Sequence, residues 1–166
     1  MIYILAEELE LKIDFNKCLK MALVHDLAEA ITGDIDYLLI VDGGVSETKK
    51  KKFEQKAFQK IREFLPKTGN EICVLWEEFE KGHTEEARFV KAIDRFEALT
   101  HMLDAGYRVF DKRPDIIPNY ADSAVNNFPA MAPFLTLIKN RFKKEFKKGH
   151  ILWKKEYELI KKAPEK

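Results

Sequence analysis

The stretch MALVHDLAEAITGD, from Met21 to Asp34, is apolar at most positions but carries His25, Asp26 and Glu29 close together. Its apolar residues fall on nearly every face of a helix, which predicts a helix at the centre of the fold. Ionisable side chains are rarely buried in such a helix unless they are paired or bind a metal. The stretch therefore predicts a helical core and a place where chemistry can occur.

Caps and breakers predict further helices. Asp14 is a candidate N-cap for the helix that contains this stretch, and Gly33 suits its C-terminal turn. The chain is 46% hydrophobic and 34% charged, with only seven Gly and six Pro, which favours helices and excludes a disordered class. We expect an all-α fold, a compact single-domain helical bundle over residues 1–166. Two further helices are predicted to start after Ser46 and after Thr84, and a shorter helix is predicted over residues 70–82. A basic C-terminal helix is predicted at about 134–162, with mostly loop between 106 and 133.

The charge balance argues against a polyanionic partner. Lys and Arg number 29 and Asp and Glu number 28, so no global field favours nucleic acid or a membrane. The basic tract from Lys139 to Lys162 offers a rival hypothesis, nucleic-acid binding, but the near-neutral total favours a solvated helix. The distant Cys18 and Cys73 indicate free thiols, and no apolar segment is long enough to span a bilayer. We therefore expect a cytoplasmic protein.

The three ionisable residues fit two interpretations. Glu29 follows His25 by four positions and Asp26 by three, so it shares a helical face with both. His25 and Asp26 point about 100° apart, which still allows both to reach one ion. The plain alternative is a surface strip with His25 and Glu29 as an i,i+4 pair, and short matches of this kind are common. The residues alone leave both interpretations open.

Two longer segments carry a family resemblance. LVHDLAEAITGDI resembles the second motif of the HD-domain superfamily, in its branch of small 5′-deoxynucleotidases. That superfamily has a His, then a His-Asp pair, then a distant Asp around a metal. LWEEFEKGHTEEARFVKAIDRFEAL resembles the later segment of the same branch, which supplies the last Asp. The two motifs stand in the family's order, and the resemblance covers Met1 to about Leu103.

The resemblance implies a role for each matching residue. His25, Asp26 and Asp94 would bind one divalent transition-metal ion, and an imidazole with two carboxylates suits Mn, Co, Ni, Fe or Zn. The remaining roles are as follows: Glu29 is the catalytic acid or base, Asp34 contacts the sugar, and Glu78 is a further substrate-binding residue. Taken without the family, Asp94 would be a surface partner of a neighbouring Lys or Arg.

The implied function is a metal-dependent phosphohydrolase that releases phosphate from (deoxy)nucleoside 5′-monophosphates. The implied partners are the nucleotide substrate and a second copy of the chain in a homodimer. The charge balance and the short apolar segments predict no nucleic-acid and no membrane partner. Two alternatives stay open: an HD phosphohydrolase that acts on nucleoside triphosphates or cyclic nucleotides, and a non-catalytic, metal-stabilised regulatory protein.

The chain departs from the family at its N-terminus. The family's first metal histidine and a phosphate-contacting Arg lie upstream of the segment that MIYILAEEL resembles. The first helix also begins without a capping signal. We therefore expect the sequence to be an incomplete version of a longer protein and the metal to be bound less firmly than by a full ligand set. His83, His101 and His150 are predicted to be ordinary surface or core residues.

Overall fold

The computed structural model describes residues 1–33, 43–44, 46–110 and 114–161. Every regular element within these ranges is helical, which confirms the all-α prediction. The α-helices are α1 (Ile2–Glu8), α2 (Phe15–Val24), α3 (Glu29–Thr32), α4 (Glu47–Phe64), α5 (Gly69–Lys81), α6 (Glu85–Ala105), α7 (Asp122–Asn127) and α8 (Ala132–Lys148). Short 3₁₀-helices span Tyr107–Val109, Ile117–Asn119, Pro129–Met131 and Lys155–Glu158.

Two compact units divide the chain. One comprises Asp14–Ala87, and the other comprises Met1–Ile13 with Arg88–Lys166. The single domain over 1–166 stays a prediction, and each unit is described by itself. Within the described part of the chain, none of the helices combines the length and the apolar character that crossing a membrane requires.

The unit Asp14–Ala87 is built by α4 and α5, with α2 packed on α5 and α3 packed on α4. Its buried apolar cluster consists of Ala28, Ala57, Phe58, Ile61, Cys73 and Trp76. α4 and α5 approach closely at Gly69, where a Cβ would lie 2.7 Å from the Cα of Arg62. Only glycine fits at this position, because the obstacle is backbone that cannot rotate away.

The predicted caps of this unit are confirmed. The Asp14 side chain accepts from the Lys17 backbone N–H at 3.0 Å, and Ser46 Oγ accepts from Lys49 N–H at 3.2 Å. Thr84 Oγ1 accepts from Ala87 N–H at the start of α6. Each cap satisfies an N–H that has no partner inside its helix.

The helix that begins after Asp14 is shorter and less enclosed than predicted. α2 ends at Val24, and turns separate it from α3, which stops at Gly33 with a φ of +73°. Cys18 and Met21 are fully buried, but Leu23 is 81% exposed. The prediction of a central helix, drawn from apolar residues on nearly every face, is wrong for α2, because a helix packed on one neighbour buries one side only.

In the other unit, α6 and α8 supply most of the buried aromatic residues. The predicted stripe of α6 is confirmed, since its members Phe89, Ile93, Phe96 and Leu103 are all buried. Phe110 contacts Phe142 and Phe146 of α8 with ring centroids 5.4 and 5.6 Å apart. The segment 106–133 has short helical pieces among turns, close to the predicted loop with a short helix.

The C-terminal helix ends at Lys148 rather than near Lys162, which corrects the prediction. A Cβ at Gly149 would lie 2.8 Å from the Tyr107 ring, and His150 adopts a φ of +54°. The chain then turns back, and Trp153 packs edge-on against Phe146. Burying these rings stabilises the fold more than extending the helix would, because the lysine-rich tract has little apolar surface of its own to bury as a helix.

A candidate metal centre

His25 lies at the C-terminal end of α2, and its ring is held by the backbone. Its Nδ1 is 2.9 Å from the carbonyl oxygen of Ala22. Carbonyls in the last turn of a helix lack intrahelical N–H partners, so this oxygen is available to the side chain. A carbonyl can only accept, so Nδ1 carries the proton and donates it. In the neutral ring, Nε2 then presents a lone pair, which is the form that binds metals.

Asp26 brings a carboxylate to that nitrogen. Its Oδ2 lies 3.0 Å from His25 Nε2, and the Asp26 side chain is 60% exposed while the His25 side chain is 15% exposed. Two lone pairs at this separation repel unless a proton or a metal cation lies between them. Two ligands about 2.1 Å from one ion and at right angles stand about 3.0 Å apart. The pair therefore fits a divalent metal ion.

The turn after α2 changes the position of Glu29. The Glu29 N–H donates to the Asp26 carbonyl at 2.9 Å, and Ile31 N–H donates to Ala28 at 2.9 Å. These hydrogen bonds join residues three positions apart, as in a 3₁₀-helix, where side chains three positions apart are eclipsed. Glu29 therefore aligns with Asp26 more closely than with His25, whereas a regular α-helix favours the pair with His25. Glu29 is half-buried.

Glu78 lies near the end of α5 and is held by two donors of its own unit. Lys17 Nζ and Thr84 Oγ1 each lie 2.6 Å from its Oε1. The hydrogen bond from Lys17 to Glu78 raises the pKa of the lysine. This network ties α2, α5 and the start of α6 together, so it gives Glu78 a structural role. Its contact with substrate stays a prediction.

Asp94 lies on α6 in the other unit, and its side chain is 32% exposed. Arg95 Nε approaches Asp94 Oδ2 only to 3.9 Å. The Arg95 guanidinium instead donates to the Tyr120 hydroxyl and lies 4.6 Å from the centre of the Tyr120 ring. Arg95 is thus shared between Asp94 and the closer Tyr120.

The other predicted residues fall into two groups. Asp34 lies outside the described residues. His83, His101 and His150 are exposed. Of the predicted surface or core positions, all three therefore occupy the surface.

Two features near His25 were missed by the sequence analysis. The Ala22 carbonyl has no side-chain signal by which it could have been found. Phe79 lies on α5, and its ring centroid is 4.8 Å from that of His25, with the ring planes tilted by 53°. Phe79 follows Trp76 by three positions, a spacing that predicts one more core residue of an amphipathic helix. Only the fold shows that it covers the His25 ring.

The sequence also matches a known protein family. A sequence model of the HD domain matches residues 1–112, and the chain belongs to the HD-domain family. Over 118 residues it is 36% identical to the Xenopus laevis protein named 5′-deoxynucleotidase HDDC2, covering 70% of this chain and 56% of that protein. The Homo sapiens protein of the same name is 30% identical over 118 residues, 70% of this chain and 55% of that protein.

A fungal relative extends this set. The Schizosaccharomyces pombe protein named 5′-deoxynucleotidase hdd1 is 38% identical over 97 residues, 55% of this chain and 47% of that protein. The chain spans about half the length of the curated relatives it matches.

Proposed function

We propose that this protein is a metal-dependent phosphohydrolase that releases phosphate from deoxynucleoside 5′-monophosphates. One observation carries the proposal: the Nδ1 hydrogen bond to Ala22 turns Nε2 of His25 toward the Asp26 carboxylate, 3.0 Å away, an arrangement that fits a shared divalent cation. The names of the relatives supply the substrate class, since each is called a 5′-deoxynucleotidase.

His25, Asp26 and Asp94 would hold the metal. They offer one imidazole nitrogen and two carboxylate oxygens, and this donor set accepts Mn, Fe, Co, Ni or Zn. A bound divalent ion supplies Lewis acidity, which polarises phosphoryl oxygens and eases deprotonation of water. The resemblance to the family assigns this role to the His-Asp pair and to Asp94, whose side chain is 32% exposed.

Glu29 would move the proton. It follows Asp26 by three residues in a 3₁₀ turn, so its carboxylate projects from the same face of the backbone as the proposed ligand. A carboxylate held one turn from a ligand can take a proton from attacking water or deliver one to the leaving 5′ oxygen. The products are a nucleoside and inorganic phosphate. Asp34 and Glu78 complete the proposal as substrate contacts.

Phosphate release tests this function. The purified chain is incubated with ribo- and deoxyribonucleoside 5′-monophosphates, each with Mn²⁺, Co²⁺, Ni²⁺, Fe²⁺ or Zn²⁺. We expect metal-dependent release that is faster from the deoxy series, and loss of it in the His25→Ala variant but not in His101→Ala. Faster release from triphosphates or cyclic nucleotides would favour another HD phosphohydrolase, and metal binding without turnover would favour the regulatory protein.

A cytoplasmic location and a homodimer belong to the same proposal. Cys18 and Cys73 are both free and buried, which suits a reducing compartment. Leu19 and Leu23 lie one turn apart on α2 and are 38% and 81% exposed, so they offer an apolar strip for a second copy.

A further inference from the structure

Phe79 covers the imidazole of His25. The two ring centroids are 4.8 Å apart, and Phe79 is only 7% exposed, near the end of α5. α5 packs on α2, the helix whose C-cap is His25. The position of the phenyl ring is therefore set by the packing of two helices and not by a flexible loop.

Two different restraints act on this imidazole. The hydrogen bond from Nδ1 to Ala22 fixes the direction of one ring nitrogen, but it leaves the ring plane free to tilt about that bond. The phenyl ring blocks tilting toward α5 and keeps water away from the ring. The direction in which Nε2 points, toward Asp26, follows from the two restraints together.

We propose that Phe79 is a positioning residue, one that holds the His25 imidazole in the orientation required for metal binding. The inference rests on the proposed function, since it concerns the same metal centre. Phe79 would act through His25, whose ring it contacts. Partners that orient a ligand imidazole typically change metal affinity by about 10- to 100-fold when they are removed.

A matched control separates positioning from general packing. Phe58 is a buried aromatic residue of the same unit, and its ring stacks on Trp76 at 4.4 Å. Phe58→Leu and Phe79→Leu make the same change at two buried positions of one unit, but of the two rings only Phe79 contacts the imidazole. Phe79→Tyr retains the ring and serves as the conservative variant.

The first experiment measures the affinity for Co²⁺ by isothermal titration. We expect Phe79→Leu to bind Co²⁺ about 10- to 100-fold more weakly than wild type. Phe58→Leu and Phe79→Tyr should remain within about threefold of wild type, since both keep the ring over His25. If Phe79→Leu does not fold, Phe79→Met, which keeps an unbranched apolar side chain, takes its place.

The second experiment follows the His25 Nδ1–H signal by ¹H–¹⁵N NMR in the metal-free protein. We expect exchange of this proton with water to be at least tenfold faster in Phe79→Leu and unchanged in Phe58→Leu. Wild-type exchange in a folded Phe79→Leu protein would overturn the inference, and so would faster exchange with unchanged Co²⁺ affinity. If wild type binds no metal, the proposed metal centre fails, while the exchange rate still decides whether Phe79 holds the ring.

Discussion

At the scale of single residues, His25 owes its orientation to the place where α2 ends. The free carbonyls of the last turn provide an acceptor for Nδ1, and the turn that follows brings Asp26 to Nε2. The same turn carries Glu29 to the face of Asp26. The end of one helix thus sets the relation among three ionisable side chains.

Glu29→Gln should remove the acid or base and leave the metal ligands in place. The amide keeps the size of the carboxylate but carries no transferable proton, so we expect turnover to fall by about 10²- to 10⁴-fold with unchanged Co²⁺ affinity. Steady-state phosphate release and metal titration give the two numbers. Glu63→Gln, at an exposed position of α4, is the control. Near-normal turnover in Glu29→Gln would make Glu29 a structural residue.

Cys18 should make the free energy of unfolding depend on pH in the alkaline range. Burial raises the pKa of its thiol from 9.0 to about 12. The unfolded chain loses this proton at lower pH than the folded chain, so the stabilising contribution is complete below pH 9 and is lost as pH rises toward 12. In denaturant titrations, the free energy of unfolding should decline less across this pH range for Cys18→Ala than for wild type. Equal slopes would argue against a shifted thiol.

At the scale of elements, the segment after α8 is attached by a buried ion pair. Lys139 of α8 and Asp122 of α7 are each 3% exposed, and Lys139 Nζ lies 2.7 Å from Asp122 Oδ1 and 2.7 Å from the Leu159 carbonyl. Asp122 Oδ2 also accepts from Lys161 N–H. The returning chain supplies backbone partners that the pair requires, because buried charges must have their hydrogen bonds satisfied.

A double-mutant cycle tests this attachment. Lys139→Met leaves Asp122 buried without its cation, and we expect a loss of about 3 to 5 kcal/mol in the free energy of unfolding. Adding Asp122→Leu removes the stranded carboxylate and should restore part of that loss. Chemical denaturation of the two single variants, the double variant and wild type supplies the four values. Additive losses would show that the two side chains are not coupled.

At the scale of the whole molecule, metal binding should stabilise the fold. A ligand that binds only the folded chain raises the unfolding free energy by about 2.7 kcal/mol at 100 times its Kd, which corresponds to about 5–10 °C in Tm. We expect this shift with Co²⁺ in wild type and in His101→Ala, and not in His25→Ala. An equal shift in all three proteins would indicate binding elsewhere.

Dimer formation should depend on the exposed strip of α2. Leu23 is 81% exposed, and Leu23→Lys would place a charge in an apolar interface. Sedimentation equilibrium should give a dimer for wild type and a monomer for Leu23→Lys. Leu152→Lys changes a leucine that is 74% exposed in the other unit and is expected to leave the dimer intact. A wild-type monomer would remove the homodimer from the proposal.

The sequence by itself determined the helical class, most helix boundaries and the candidate residues of the metal centre. Local signals suffice for these: Asp14, Ser46 and Thr84 cap helices through bonds to residues three positions away. The motif around His25 is likewise continuous in the chain, so it can be matched without a fold.

Only the tertiary structure decided how those residues are held. The early end of α2, the ring of Phe79 over His25 and the pair formed by Lys139 with Asp122 depend on residues brought together by packing. The physical reason is that helix periodicity specifies which face of a helix is apolar, but not which neighbour covers it or how much of it is covered. A buried lysine and a free backbone carbonyl leave no mark in a single sequence.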